Sequence, residues 1–303
     1  MAASWRTRAS LPQSRSSLAV GVIGDHIYAV GGRSLPGRNK TAIAMLTEAY
    51  NAVNNTWTSK ASMPTARSDL AVGVLHGRIF AVGGVFEFRS AAFECYDPTD
   101  DWWTRLKPMP TARASLGAVG IPHLHELWAI GGAGSTWLST VEIYEPRTGA
   151  WSSGPPLDQP RASLAVALAG STVFAVGGFN DASALGIVEA CDTASKRCSS
   201  WARRAPMPTP RWGLALGATA GGERLFAVGG FASGEWLTVV EEYDVRGDRW
   251  RQLCPMPTAR RDLGVGILAS GVLAKSATLY AVGGWNGTRQ LATVESLRLD
   301  SYS

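Results

Sequence analysis

The chain has 303 residues, 46% hydrophobic and 17% charged, a balance that suits a packed globular protein and excludes a disordered one. No apolar run reaches the roughly 18 residues of a membrane helix. The net charge of +5 is carried by 24 Arg against 5 Lys, with no basic run of nucleic-acid type, so neither nucleic acid nor membrane is expected as a partner.

The start, "MAASWRTRASL", lacks the apolar centre of a signal peptide, and a reduced, cytoplasmic, monomeric protein is expected. Residues 4–10, "SWRTRAS", read as a single strand carrying Trp5. "LPQSRSSLAVGVIGDHIYAVGG" then opens a text that returns five times, most plainly at 62–84 as "SMPTARSDLAVGVLHGRIFAVGG". Each copy predicts four strands. The first alternates small residues ("DLAVGVL"), and the second ends in Gly-Gly ("RIFAVGG"). The third carries Glu then Tyr ("FECYDP", "VEIYEP"), and the fourth begins at a Trp. The loop after the first Gly-Gly, "RSLPGRNKTAIAML", is the longest and holds three cations and no acid. In the fourth copy Cys191 and Cys198 bracket a long turn; their spacing allows a disulfide, but two free thiols are expected in a reducing compartment. The sixth copy has a lengthened first hairpin, "LASGVLAKSATLY", and stops at its third strand, "TVESLRLD".

The copies close on themselves. The second Gly of each pair stands at 32, 84, 132, 178, 230 and 284. Trp57, Trp103, Trp151, Trp201 and Trp250 follow five of the pairs, and Trp5 supplies the sixth from the other end of the chain. A period near 50 residues with four antiparallel strands per unit is that of a β-propeller blade. The expected fold is all-β: one six-bladed propeller over 1–303, with blades at about 11–62, 63–109, 110–157, 158–207, 208–256 and 257–303 plus 1–10. The N-terminal strand latches the ring and removes its open edges.

The Gly-Gly pairs, the Glu-x-Tyr of each third strand and the following Trp resemble the Kelch-repeat family over essentially the whole chain. The resemblance implies the propeller, but the family spans ubiquitin-ligase adaptors, actin-binding proteins, sugar oxidases and isomerases, so function rests on the site. Adaptors of that kind normally carry a dimerisation domain before the propeller; this chain opens at the latch strand, so it is expected to be a fragment or a different kind of protein.

Strand parity puts Arg15, Arg67, Arg113, Arg161, Arg211 and Arg260 on the face of the Gly-Gly loops, around the channel mouth. In Kelch-like adaptors, Arg at the matching position binds acidic peptide side chains, and the resemblance implies the same here. The alternative is pairing within each blade with the recurring Glu48, Glu94, Glu142, Glu189, Glu241 and Glu295, whose sixfold repetition marks them as structural. Arg67 and Arg260, beside Asp69 and Asp262, are expected to be ligand contacts whose loss leaves stability nearly unchanged. Phe86, Phe88, Trp137, Trp212 and Trp236 add varying aromatic surface to this face, the usual make-up of interface anchors. The expected function is a module binding an acidic peptide, a protein or another anionic ligand at this mouth, with no cofactor and no metal. The alternative is an isomerase, lyase or cyclase acting on an anionic small molecule, with Asp69 or Asp262 as acid or base. His26, His76, His123 and His125 fall in hairpins on the opposite face, where "HLHE" reads as a surface turn and not a metal site.

Overall fold

A computed structural model describes residues 4–34, 45–181, 183–194, 198–270 and 276–299. Most of the long cationic loop and the tip of the lengthened last hairpin lie outside these residues. The described residues contain strands and turns and no helix, so none of them forms a helix long and apolar enough to cross a membrane.

Strand β1 (Trp5–Thr7) precedes six sheets of four antiparallel strands. The first sheet is β2 (Ala19–Ile23), β3 (His26–Val30), β4 (Thr47–Asn51) and β5 (Thr56–Ser59). The second is β6 (Ala71–Leu75), β7 (Arg78–Val82), β8 (Phe93–Asp97) and β9 (Trp102–Arg105). The third is β10 (Gly117–Ile121), β11 (Glu126–Ile130), β12 (Val141–Glu145) and β13 (Ala150–Ser153). The fourth is β14 (Ala165–Ala169), β15 (Thr172–Val176), β16 (Val188–Asp192) and β17 (Ala202–Arg203). The fifth is β18 (Ala215–Ala218) and β19 (Arg224–Val228), then a small hairpin of β20 (Phe231–Ala232) and β21 (Glu235–Trp236), then β22 (Val240–Asp244) and β23 (Arg249–Gln252). The sixth is β24 (Gly264–Ser270), β25 (Ser276–Val282) and β26 (Val294–Leu299), with β1 as its outer strand. Trp5 pairs with Leu297 and Thr7 with Glu295, so the N-terminal strand closes the ring as its text predicts.

The core lies between blades. One apolar cluster joins Phe80 and Phe93 of the second sheet to Leu127 and Tyr144 of the third, and the other seams repeat the pattern. The innermost strands crowd the axis, which is why they carry Ala and Gly. A Cβ on Gly120 would lie 2.0 Å from the Val74 carbonyl oxygen, and one on Gly264 would lie 2.0 Å from Val20 Cγ2. At the rim each outer-strand Trp reaches back one blade: the Trp57 indole N–H donates to Ala9 O, Trp103 to Ala61 O, and Trp5 to Cys254 O.

Cys191 and Cys198 are joined by a disulfide, with Cα atoms 5.8 Å apart, which corrects the expectation of two free thiols. The expectation rested on compartment alone; the separation falls in the range a disulfide spans.

Candidate functional site

Each of the six repeated Arg starts at the link into an innermost strand, but its side chain turns into its own blade. Arg15, Arg67, Arg113, Arg161, Arg211 and Arg260 are all 0% exposed. Each meets the Glu of its own third strand: Arg15 with Glu48, Arg67 with Glu94, Arg113 with Glu142, Arg161 with Glu189, Arg211 with Glu241 and Arg260 with Glu295. In the second blade, Arg67 Nη2 donates to Glu94 Oε2 at 2.6 Å and to Ala81 O at 3.2 Å. Its Nη1 donates to Gly83 O at 3.1 Å and to Ala92 O at 2.6 Å. The Thr of "MPT" completes the carboxylate, since the Thr65 hydroxyl donates to Glu94 Oε1 at 2.6 Å; Thr111, Thr209 and Thr258 repeat it. Burial pulls all six guanidinium pKa values down, opposed by the facing Glu; that of Arg67 falls to about 10, so it stays charged at neutral pH. The six Arg are therefore placed as blade staples and not as an open anion-binding rim: each pairs with its Glu and with backbone carbonyls of its own blade, and none leaves surface to a ligand.

The same repeat builds the seams. Gly84 has a φ of 103°, closed to most side chains, and its N–H donates to the carbonyl of Arg113 in the next blade at 2.9 Å. Gly32, Gly132, Gly178, Gly230 and Gly284 do the same to Arg67, Arg161, Arg211, Arg260 and Arg15. Two residues after each Arg comes a second link. Ser17, Asp69, Ser115, Ser163, Gly213 and Asp262 all take positive φ, between 51° and 62°. Each donates its N–H to the carbonyl of its counterpart in the preceding blade, at 2.7–3.0 Å, with Ser17 completing the circle on Asp262. This is a closed ring of six hydrogen bonds running one way round the channel mouth.

Inside that ring is a cavity of about 100 Å³, floored by Leu18, Leu70, Leu116, Leu164, Leu214 and Leu263. Asp69 and Asp262 flank Ser17 on it, and both pair with Arg residues that sequence reading did not single out. Arg33 Nη2 is 3.2 Å from Asp69 Oδ2, and Arg261 Nη1 is 3.6 Å from Asp262 Oδ2. The Asp262 carboxyl is pushed up to about 6, chiefly by burial and further by the Asp69 charge, against the pull of Arg261 and Arg33. A carboxyl whose folded value is raised stabilises the fold fully below its ordinary range and loses that contribution as pH rises through 6. Asp262→Asn should therefore abolish a loss of stability between pH 4 and 7 amounting to at most about 3 kcal/mol. Melting curves of both proteins across that range test this; parallel pH profiles would contradict it.

The aromatic residues divide into two sets. Trp137, Phe179, Trp212, Phe231 and Trp236 form a continuous arc over blades three to five, with successive ring centroids 5.1–5.9 Å apart. The Arg261 guanidinium stacks 4.4 Å over Trp212, and the Trp137 indole N–H donates to Asp181. Trp137, Trp212 and Trp236 thus pack on Phe179 and Phe231 between them, although all three stay partly open to solvent. Phe86 and Phe88 differ, at 39% and 83% exposed. They stand in the loop after Gly84, beside a cavity of about 630 Å³ lined by Asp69, Val85, Glu87, Phe88, Arg89 and the Ala112–Ser135 side of the third blade. Arg89 is exposed and, among the described residues, has no carboxylate partner.

The Kelch motif family model matches residues 66–110, 123–157 and 215–257. Kelch-like ECH-associated protein 1B of Danio rerio is 41% identical over 80 residues, 26% of this chain and 14% of that protein. Kelch repeat and BTB domain-containing protein 13 of Mus musculus is 36% identical over 85 residues, 27% of this chain and 18% of that protein. Kelch-like protein terF of Aspergillus terreus is 36% identical over 72 residues, 23% and 16% of the two chains. These matches therefore span less than a fifth of the length of each relative. The solved structure of YjhT superposes with a TM-score of 0.76 over 94% of this chain and 95% of that one, at 15% identity, a likeness of fold alone.

Proposed function

This chain belongs to the Kelch-repeat family, with six blades in one ring, and on that premise we propose that it is a binding module for a protein partner. The partner docks on the face of the Gly-Gly loops, and its anchor is the loop of the second blade. The observation that carries this reading is Phe88, a large apolar side chain left 83% exposed at the lip of a cavity of about 630 Å³. An isolated exposed apolar side chain needs no explanation, but one beside an open cavity and an unpaired guanidinium has the make-up of an interface anchor. Recognition of an acidic side chain then falls to the exposed Arg89, which lines the same cavity, and not to the six buried Arg.

Panning a random peptide library on the protein should enrich acidic, aromatic- or leucine-bearing peptides. Phe88→Ala and Arg89→Glu should each weaken the selected peptides at least tenfold while leaving the melting temperature unchanged. Unaltered affinity in both variants would move the binding surface elsewhere.

A second reading, an isomerase, lyase or cyclase on an anionic small molecule, draws on one observation. Asp262, raised to about 6, sits within reach of Asp69 and is flanked by Arg261 and Arg33. A value near neutrality suits a general base, and the two guanidinium groups suit an anionic substrate. Under this reading Asp262→Asn abolishes turnover of an anionic small molecule; under the first there is no turnover to lose, and peptide binding is unchanged.

A further inference from the structure

On the face opposite the Gly-Gly loops, the hairpins between the first two strands of blades two and three bring two imidazoles together. His76 is the tip of the β6–β7 turn, and His125 closes the β10–β11 turn. Nε2 of His76 and Nδ1 of His125 lie 2.8 Å apart, with ring centroids 4.8 Å apart and planes tilted by 35°. Both residues hold positive φ, 50° and 55°, so each turn aims its ring from a backbone that most side chains avoid. Both rings are exposed. The other described imidazoles are engaged: His123 Nε2 is 2.9 Å from Thr193 O, and His26 pairs with Asp25 and Asn51.

We propose that His76 and His125 form a two-histidine site for a divalent transition metal such as Cu²⁺, Ni²⁺ or Zn²⁺. In the metal-free pair one ring nitrogen donates a proton to the other. On metal binding the donor ring moves its proton, through water, to its other ring nitrogen, so that each neutral ring offers the ion the lone pair of its facing nitrogen. Metal–nitrogen bonds of about 2.0–2.1 Å place two cis ligand nitrogens about 3 Å apart, so a small rotation of exposed rings converts the hydrogen bond into a chelate. Imidazole ligands favour these ions over Mg²⁺ or Ca²⁺. No group of three or more His, Cys, Asp or Glu that could hold a metal stands among the described residues, so water fills the other positions. The ion bridges two blades at their hairpin tips, and by linkage it stabilises the closed seam between them.

The test is titration of the untagged protein with Cu²⁺ and Zn²⁺, followed by calorimetry, by melting temperature and, for Cu²⁺, by electron paramagnetic resonance. One site per chain is expected, with nitrogen hyperfine structure from two imidazoles and a rise of a few degrees in melting temperature at saturating Zn²⁺. His76→Asn and His125→Asn keep a residue type at ease with positive φ, so the turns should survive. Each should lower affinity at least tenfold, while His123→Asn should not change it. Because protons compete for the same lone pairs, uptake should weaken as pH is lowered. Equal affinity in wild type and both variants, or a copper spectrum without two imidazole nitrogens, would overturn the proposal.

Discussion

Arg67→Ala is expected to lower the free energy of unfolding by about 3–5 kcal/mol and the melting temperature by about 10 °C. The change removes a wholly buried guanidinium and leaves the buried Glu94 carboxylate with the Thr65 hydroxyl at 2.6 Å and the exposed Arg105 Nε at 3.9 Å as its remaining side-chain partners. It also strips donors from Ala81 O on β7, Gly83 O in the Gly-Gly turn and Ala92 O at the entry to β8. The expectation from sequence was the reverse, a ligand contact with little effect on stability. A paired replacement, Arg67→Met with Glu94→Leu, should recover part of the loss, because no isolated charge is then left in the blade. Arg33→Ala, at an exposed ion pair with Asp69, should cost less than about 1 kcal/mol. Chemical denaturation of the four proteins decides this; equal, small losses throughout would show that the buried pairs do not staple the blades.

Deleting residues 1–10 is expected to lower the melting temperature by about 5 °C or more. The deletion removes β1 and its ladder to β26, the Trp5 indole bond to Cys254 O at 3.1 Å, and the Arg8 bond to the Ser296 hydroxyl at 2.8 Å. It also removes the Ala9 carbonyl that accepts from Trp57 at 2.9 Å, so the seams on both sides of the closure are weakened. The exposed edge of β26 becomes free to pair with another chain, and concentration-dependent association should accompany the loss. A melting curve that does not move would refute closure by the N-terminal strand.

The ring was legible in the sequence because its signals are short and repeated. Gly-Gly, Glu-x-Tyr and Trp each mark a local turn or a packing position, and their spacing runs round the chain into Trp5. The destination of the repeated Arg was not legible. Strand parity fixes the face on which Arg67 starts, but not the direction of a long side chain whose acid partner, Glu94, is 27 residues away. Sixfold repetition of both residues was the signal that they pair, and it competed with a family resemblance that pointed to ligand. Asp69 and Asp262 were found by their departure from Ser and Gly at one repeat position, although the ring of positive φ behind them depends on blade-to-blade geometry. Phe88 stands out in the sequence as a candidate because its loop varies between copies. The sequence places His76 and His125 only in hairpins on one face, since nothing in one chain position records which hairpin tip lies beside it.

Under the proposed function, repeated residues hold the ring and residues that differ between blades bind the partner. Hydrogen exchange of the protein with and without a library-selected peptide tests that division most directly. Protection is expected in the loop at 85–89 and in the facing backbone at 112–115 and 133–135, with the seam hydrogen bonds already slow to exchange in both states. Protection confined to the hairpin tips at 24–25, 76–77 and 122–125, or to the outer strands, would contradict it.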